Sequence, residues 1–476
     1  MRSPDREDKN ILLNQVPSPV RAVMRHFRKH GFEAYVVGGC VRDLCLGKTP
    51  KDWDLATNAT PDVVQRLFRQ TRPTGIKHGT VTVIYRGMPI EVTTYRIEKG
   101  YSDFRRPDQV EFTGEIRQDL ARRDFTINAL ALSENGTLLD FFGGLDDLQA
   151  GIIRAVGDPA ERFGEDALRM LRAVRFAAQL GFEIEPETFA AIRENAHLLV
   201  HVSAERIRDE FVRALLSPAP RYAVELLRET GLLAHFLPEL LEGVDFEQNR
   251  HHRYSVWEHN LLALEHISQH APAELHLRLA ALLHDIAKPR TLTVDSEGRR
   301  HFYHHETEGA RLAAEILRRL RFDNDTIKKV THLIRHHLAL HHYPEMTDAA
   351  IRRLIRRIGL ENLDDLIYLR AADRAASGTK KGPISGGTRL LLERIEQVLA
   401  ADAAFGLKDL AVNGHDVMAA AGIRPGPLVG KILNHLLEEV LDDPEKNTRT
   451  YLLPRIQQLA AELSAASGSS EEGHRE

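Results

Sequence analysis

Near its N-terminal end the chain is patterned in short apolar runs closed by glycine or proline, and beyond about residue 160 apolar residues recur at helical spacing. Pro19 to His30 reads as an amphipathic helix with Ser18 as N-cap and Gly31 as its stop. Tyr35-Val36-Val37 is a β-branched and aromatic run ended by Gly38-Gly39, and Val41 to Leu46 begins a helix: a strand, a tight turn and a helix start. Thr60-Pro61 opens another helix through about Arg69, and Thr80 to Tyr85 and Pro89 to Tyr95 alternate as two strands joined at Arg86-Gly87. Arg96 to Gln118 has no apolar period and carries Gly100, Arg105, Arg106, Pro107, Asp108 and Gly114, so a mobile loop is expected. After the Gly157-Asp158-Pro159 turn a helix is predicted from Glu165, followed by helices at about 186–199, 203–216 and 219–229, an apolar helix over Leu279 to Ile286, and helices from Arg389 to Ala400 and through Leu441. Gly378 to Gly387 reads as a hinge, and the Ser/Gly/Glu-rich end from Ala465 onward as disordered. The fold class is α+β: a small mixed α/β head followed by a mostly α-helical remainder.

Composition supports this division. The 476 residues suffice for about three domains, and 43 % hydrophobic content supplies cores while 6 % aromatic and 28 % charged content favours helices over a β-sandwich. A net charge of −4 excludes nucleic-acid binding by bulk charge, so any RNA site must be a local basic patch. Candidates are Arg105-Arg106, Arg122-Arg123, Arg318-Arg319 with Arg321, and Arg352-Arg353 with Arg356-Arg357, each with a solvated helix face as the plainer reading. Two cysteines, Cys40 and Cys45, are too few for a disulfide framework; Met1 to Asn10 is charged, and no apolar run approaches a membrane span, so a cytoplasmic protein without membrane contact is expected.

The chemistry concentrates in four places. Backbone N–H groups at the Gly38-Gly39 turn can cradle phosphates, helped by Arg42. Asp52 and Asp54 sit two apart in a strand-like segment, where period-two geometry turns both carboxylates to one face, the arrangement Mg²⁺ needs when water and substrate phosphates complete its shell. Glu91 is a candidate third carboxylate, with a structural strand-edge role as its alternative. In Arg122-Arg123-Asp124-Phe125-Thr126-Ile127-Asn128 the arginines can hold a triphosphate, and Asp124 and Asn128 can bind ribose hydroxyls. Asp166, Arg169 and Arg172 recur at threes and so share one helix face, either as intrahelical salt bridges or as a binding row. Fifteen of the 24 histidines lie between Asn249 and His342, and His259, His284-Asp285 and the distant Asp373 suggest imidazole and carboxylate metal ligands. A second pair, His415-Asp416, follows Gly414 near a helix start and is read as a cap.

Gly38-Gly39-x-Val-Arg-Asp followed by Asp52-x-Asp54, the Arg-Arg-Asp-Phe-Thr-x-Asn segment and Glu165-Asp166-x-x-Arg169 together resemble the class II tRNA nucleotidyltransferase and poly(A) polymerase family. The series His259, His284-Asp285, Asp373 is similar to HD phosphohydrolases, with His305 and His337 as second-metal ligands and His304 and His336 as adjacent competitors. The resemblance implies an N-terminal tail and helix (1–30), a catalytic head (31–158), a helical neck for nucleotide and RNA (159–245), an HD body (246–400) and a helical tail (401–476). It implies CCA addition to tRNA 3′ ends from CTP and ATP. Asp52 and Asp54 would hold Mg²⁺; Gly38, Gly39, Arg42 and Arg123 would bind the triphosphate; Asp124, Asn128 and Arg172 would complete the pocket. A divalent transition metal is the further cofactor expected in the HD body, which is alternatively a retired fold serving to bind RNA. A-only or poly(A) addition is the alternative within the family, and an HD hydrolase regulated by the head the alternative outside it. Cytosine and adenine both offer an amino donor beside a ring-nitrogen acceptor, so Asp166 and Arg169 are assigned as readers of that edge.

Overall fold

Ala34–Val37 (β1) forms because Val36 and Val37 bury fully while the chain on either side turns. Gly38 ends the strand at φ 74°, and Gly39–Cys45 (α2) follows at once, with Cys40, Val41 and Leu44 buried. The computed structural model describes residues 12–100, 108–248, 253–341, 346–380, 382, 384–401 and 406–468. Ser18–Lys29 (α1) precedes the strand, but Pro17 and not Ser18 occupies the N-cap, and no side chain caps the helix there.

The expected strands Thr80–Tyr85 (β4) and Met88–Thr94 (β5) are present, joined by Asp54–Thr57 (β2), Thr71–Gly75 (β3), Leu130–Ser133 (β8) and Leu138–Asp140 (β9) in one seven-stranded sheet of order β3-β4-β5-β2-β1-β8-β9. Within this sheet β2 and β5 are the parallel pair, in a register that sets Asp54 opposite Glu91. Pro61–Leu67 (α3) lies between β2 and β3. The segment from Arg96 to Gln118 is not the loop its composition suggests. Arg96–Lys99 (β6) and Gln109–Phe112 (β7) pair antiparallel, and Ile116–Ala121 (α4) follows. The ribbon carries charge where an amphipathic strand would alternate, and Glu98 is held by Arg96 at 2.6 Å and Arg122 at 3.3 Å, so no hydrophobic period announces it. Tyr101 to Pro107, including the Arg105-Arg106 patch, lies outside the described residues.

Gly144–Ala150 (α5) and the two-residue strands Ile152–Ile153 (β10) and Glu183–Ile184 (β11) close the sheet region. The helix expected to begin at Glu165 is two helices. Pro159–Glu165 (α6), capped by Asp158 through the Ala160 N–H at 2.8 Å, ends at Asp166, whose backbone is extended (φ −141°, ψ 102°), and Leu168–Leu180 (α7) begins afresh. Pro186–Asn195 (α8), Ala204–Leu215 (α9) and Pro220–Glu229 (α10) follow.

The chain falls into two compact units, residues 1–242 with 316–323 and residues 243–315 with 324–476. The second is helical apart from the hairpin of Leu292–Val294 (β12) and Arg300–Phe302 (β13). Its helices are Val256–His270 (α11), Leu275–Leu283 (α12), His305–Arg319 (α13, whose last residues belong to the first unit), Asn324–His336 (α14), Asp348–Ile358 (α15), Leu363–Ala376 (α16), Gly386–Ala401 (α17), Gly414–Ala421 (α18), Pro427–Asp442 (α19) and Arg449–Gly468 (α20). Helix α20 runs past Ala465, where disorder was expected. Asn413 and Asp416 form a reciprocal capping box on α18, as read for His415-Asp416, and Val417, Leu436 and Ile456 lead a separate apolar cluster there.

One glycine is fixed by close approach. A Cβ on Gly144 would lie 2.2 Å from the Thr126 carbonyl oxygen, a backbone atom that cannot step aside, whereas a Cβ on Gly164 would meet nothing within 4 Å. Gly144→Ala is expected to cost about 2 kcal/mol or more through forced backbone movement, and Gly164→Ala, within α6, to be neutral or to stabilise by about 0.5–1 kcal/mol. Urea unfolding of the two variants checks this; equal midpoints would refute the steric account.

Candidate functional site

The first unit holds a cavity of about 520 Å³ at the Gly38-Gly39 turn. Seven arginines line it (Arg42, Arg122, Arg123, Arg169, Arg172, Arg175, Arg206) against three aspartates, Asp54, Asp124 and Asp166. Such an excess of cations suits a polyanion. A Cβ on Gly38 would stand 2.7 Å from Arg123 Nη1, so only glycine lets that guanidinium lie against the turn.

Each arginine is paired with a carboxylate. Arg42 donates to Asp43 Oδ1 at 2.7 Å and to Asn128 Oδ1 at 2.8 Å; Asn128 in turn donates to Asp124 Oδ1 at 3.0 Å. Asp124 Oδ2 accepts from Arg172 at 2.6 and 2.9 Å. Burial pushes the Asp124 carboxyl up, but the Arg172 guanidinium and the Asn128 bond outweigh it and hold it well below the usual range. Arg122 and Arg123 share the fully buried Asp119 at 2.8 and 3.4 Å. Arg169 binds Glu165 at 2.6 Å and the Arg122 carbonyl at 3.0 Å, and Arg175 binds Glu210 at 2.5 Å while lying 3.9 Å over the Phe176 ring.

The carboxylates arrive differently than expected. Asp54 opens β2 and reaches the cavity, but Asp52 lies before the strand, exposed, and does not line it, so strand periodicity is not what relates the two. The parallel pairing brings Glu91 beside Asp54 instead. Burial first, then the Glu91 charge and that of Asp52, against the opposing pull of Arg123, raise the Asp54 pKa to about 6. Cys40, which sequence reasoning assigned no role, clamps both aspartates: its thiol donates to the Asp52 carbonyl at 3.0 Å and accepts from the Asp54 N–H at 3.2 Å. Burial lifts that thiol to about 12, so it stays protonated.

Asp166, Arg169 and Arg172 all line the cavity, but not as one helix face. Asp166 stands in the break between α6 and α7, and its Oδ2 accepts from Arg206 Nη2 at 2.8 Å. Arg206, Arg175 and Glu210 went unnoticed in the sequence, since α9 and α7 meet only in space. The other basic patches are largely committed. Arg319 pairs with Glu239 at 2.7 Å, Arg353 with Asp442 at 2.6 Å, Arg356 with Glu438 at 2.5 Å, and the buried Arg352 donates to the Leu441 carbonyl at 2.9 Å.

In the second unit the four predicted ligands converge, and the choice between neighbouring histidines resolves. Two sets have ligand atoms mutually within 4.8 Å: His259, His284 and Asp373, and Asp285, His305 and His337. His304 is 87 % exposed, at φ 61°, and points away; His336 lies beside His332. Nε2 of His259 faces Nε2 of His284 at 3.0 Å, and Nε2 of His305 faces that of His337 at 3.3 Å. The Nδ1 atoms of His284, His305 and His337 meet the carbonyls of Ala281, Phe302 and Ile334 at 2.9, 2.6 and 2.6 Å. Those bonds commit Nδ1 as donor on these three rings and leave their Nε2 lone pairs open, those of His305 and His337 turned toward one another, which fits a cation between them. Burial lowers the His284 and His337 pKa values, the latter to about 3; His259, though buried, is held up at about 9 by Asp285 and Asp373. Lys288 Nζ stands 2.5 Å from Asp285 Oδ2, and Arg370 2.7 Å from Asp373 Oδ2. The donor set of imidazoles and carboxylates suits a divalent transition metal.

The family profile "Poly A polymerase head domain" matches residues 34–154, "Probable RNA and SrmB-binding site of polymerase A" residues 181–243, and tRNA nucleotidyltransferase domain 2 residues 303–456. The CCA-adding enzyme of Lactiplantibacillus plantarum is 36 % identical over 454 residues, 94 % of this chain and 99 % of its own. That of Limosilactobacillus fermentum is 52 % identical over 225 residues, where the chain spans about half the relative's length, 56 %. The crystal structure of the Bacillus stearothermophilus CCA-adding enzyme in complex with CTP superposes with TM-score 0.70 at 29 % identity, over 95 % of this chain and all of that one. The Thermotoga maritima CCA-adding enzyme complexed with tRNA, 21 % identical with TM-score 0.58, shares the fold. Among the described residues no helix is long and apolar enough to cross a membrane.

Asp124→Asn removes the charge opposite Arg172 and should lower stability at pH 7 by about 2 kcal/mol, a value reduced for the partial exposure of Arg172. The paired carboxyl titrates below its ordinary 3.8, so its contribution is complete above that pH and is lost as pH falls further. Urea midpoints across pH should therefore show the gap to wild type narrowing in acid, and a constant gap down to about pH 3 would refute the electrostatic account.

Proposed function

The chain belongs to the CCA-adding enzyme family, and we propose that it adds C, C and A to the 3′ ends of tRNA from CTP and ATP, without a nucleic-acid template, in the cytoplasm. What carries this reading is the arginine-lined cavity at the glycine turn, with Asp54 in its lining and Glu91 paired beside Asp54 in the sheet, in a chain aligned along nearly its whole length with CCA-adding enzymes. The tRNA 3′-oxygen forms a bond to the nucleotide α-phosphorus, the bond from that phosphorus to the bridging oxygen breaks, and pyrophosphate leaves as the hydroxyl proton is lost. Asp54, with Asp52 two residues before it and Glu91 paired beside it in the sheet, would hold Mg²⁺, which would supply charge neutralisation at the phosphoryl oxygens. The N–H groups of Gly38 and Gly39, with Arg42 and Arg123, bind and orient the triphosphate. Asp124, through Arg172 and Asn128, fixes the wall against the ribose. Asp166 accepts from the amino group shared by cytosine and adenine, and Arg169 donates to the ring nitrogen beside it; uracil and guanine present the reverse edge and would leave both unmatched, at roughly 1–3 kcal/mol per group.

Purified protein incubated with tRNA transcripts ending before CCA, after C and after CC, with each nucleotide alone, tests the reading. C should be added to the first two and A to the third; A on all three ends would instead indicate a poly(A)-type activity. Asp54→Ala should lose about a thousandfold or more in rate with its fold retained, and near-normal addition by it would defeat the assignment.

A second reading is favoured by one observation, the two ligand sets of the second unit. His259, His284 and Asp373, with Asp285, His305 and His337, would hold divalent metal that activates water against a phosphate ester, as in HD hydrolases. Metal analysis of protein loaded with Mn²⁺, Ni²⁺ or Co²⁺ should find bound ion in wild type and little in His284→Ala, with CCA addition unaffected. Equal metal content in both would exclude these residues as ligands.

A further inference from the structure

Resting on the reading of Asp166 as a base-recognition residue, we propose that Arg206 is a specificity-positioning residue for nucleotide choice. Asp166 occupies the break between α6 and α7 with an extended backbone, so no helix fixes its direction. Arg169, the cation nearest in sequence, is turned to Glu165 at 2.6 Å. What holds the Asp166 carboxylate is one donor on each oxygen: the Leu168 N–H on Oδ1 at 3.1 Å and Arg206 Nη2 on Oδ2 at 2.8 Å.

Arg206 comes from α9, one turn before Glu210, which holds Arg175 at 2.5 Å and lies 4.0 Å from Arg172. Helix α9 therefore sets both the row of arginines and the carboxylate that faces the base. Discrimination between an amino donor and a carbonyl acceptor requires the receiving lone pair to point one way before the base arrives. A carboxylate released from Arg206 can rotate and turn away, relaxing the penalty against the wrong edge. Arg206 lines the cavity, and its buried Nη1 has no hydrogen-bond partner among the described residues.

The test is kcat/KM for CTP, ATP, UTP and GTP on matched tRNA ends, for wild type, Arg206→Met, Arg206→Lys, Asp166→Ala and the Asp166→Ala/Arg206→Met double variant. Arg206→Met should lose about tenfold or more of the CTP-to-UTP and ATP-to-GTP ratios. Arg206→Lys should recover part of that loss, because it restores a charge without the fork. The double variant should discriminate no worse than Asp166→Ala alone, since Arg206 acts through Asp166. If Asp166→Ala loses discrimination while Arg206→Met keeps wild-type ratios, or lowers kcat/KM equally for all four nucleotides, the role of Arg206 is overturned and the base reading stands. If Asp166→Ala itself keeps wild-type ratios, the base reading falls with it. Should Arg206→Met fail to fold, Arg206→Lys and Arg206→Gln carry the same comparison: a wild-type ratio in Arg206→Gln overturns the proposal.

Discussion

Seven guanidinium groups around one cavity repel each other, and the architecture of the first unit is a response to that repulsion. Each cation has a carboxylate partner, and these come from many parts of the unit: Asp43 from the turn helix, Asp119 from α4, Asp124 from the segment after it, Glu165 from α6, Asp166 from the break before α7, Glu210 from α9. Asp119, Asp124 and Glu210 are buried, so their pairs are screened weakly and their geometry is held firmly. The result is a wall that stays positive toward the cavity while being balanced within the protein. A triphosphate entering it meets donors already directed inward and does not have to order long side chains.

The second unit solves the opposite problem. There imidazoles and carboxylates crowd together, and positive charge has to be supplied. Lys288 and Arg370 hold one carboxylate oxygen each, of Asp285 and Asp373, and the His259 imidazole lies between those two carboxylates. These internal cations let the cluster pack to near-complete burial while leaving Asp285 Oδ1 and Asp373 Oδ1 directed at the facing imidazoles.

What could be read from the sequence was chemistry carried by adjacent residues. The Gly38-Gly39 turn, the β4–β5 hairpin and the histidine cluster each announce themselves locally, because residue type and spacing determine them. The adjacency rule failed where the chain stops being periodic. Asp166 lies two residues before α7, so its spacing to Arg169 counts along a helix that is not there. The β6–β7 ribbon is ion-paired and not amphipathic, leaving nothing for a hydrophobic period to report. Arg206 and Glu210 sit 40 and 35 positions from their partners Asp166 and Arg175, a distance along the chain that no motif spans. The basic patches erred in the other direction: Arg352 to Arg356 are visible as charge, but the acidic face of α19 that absorbs them is far downstream.

The order of strands in the sheet has a consequence for synthesis. Strand β1, which ends in the glycine turn, is flanked by β2 on one side and by β8 on the other. The N-terminal half of the head, including the strand that carries Asp54, thus leaves the ribosome with one edge of its central strand unpaired until Ala131 to Ser133 emerge. Non-local pairing of this kind is slow and leaves backbone groups open to other chains. The Gly38-Gly39 turn is therefore made early and completed late. During translation the head is held together by its local hairpin β4–β5 and by the apolar faces of α1 and α3, with the nucleotide cavity assembled only after α7 and α9 have followed.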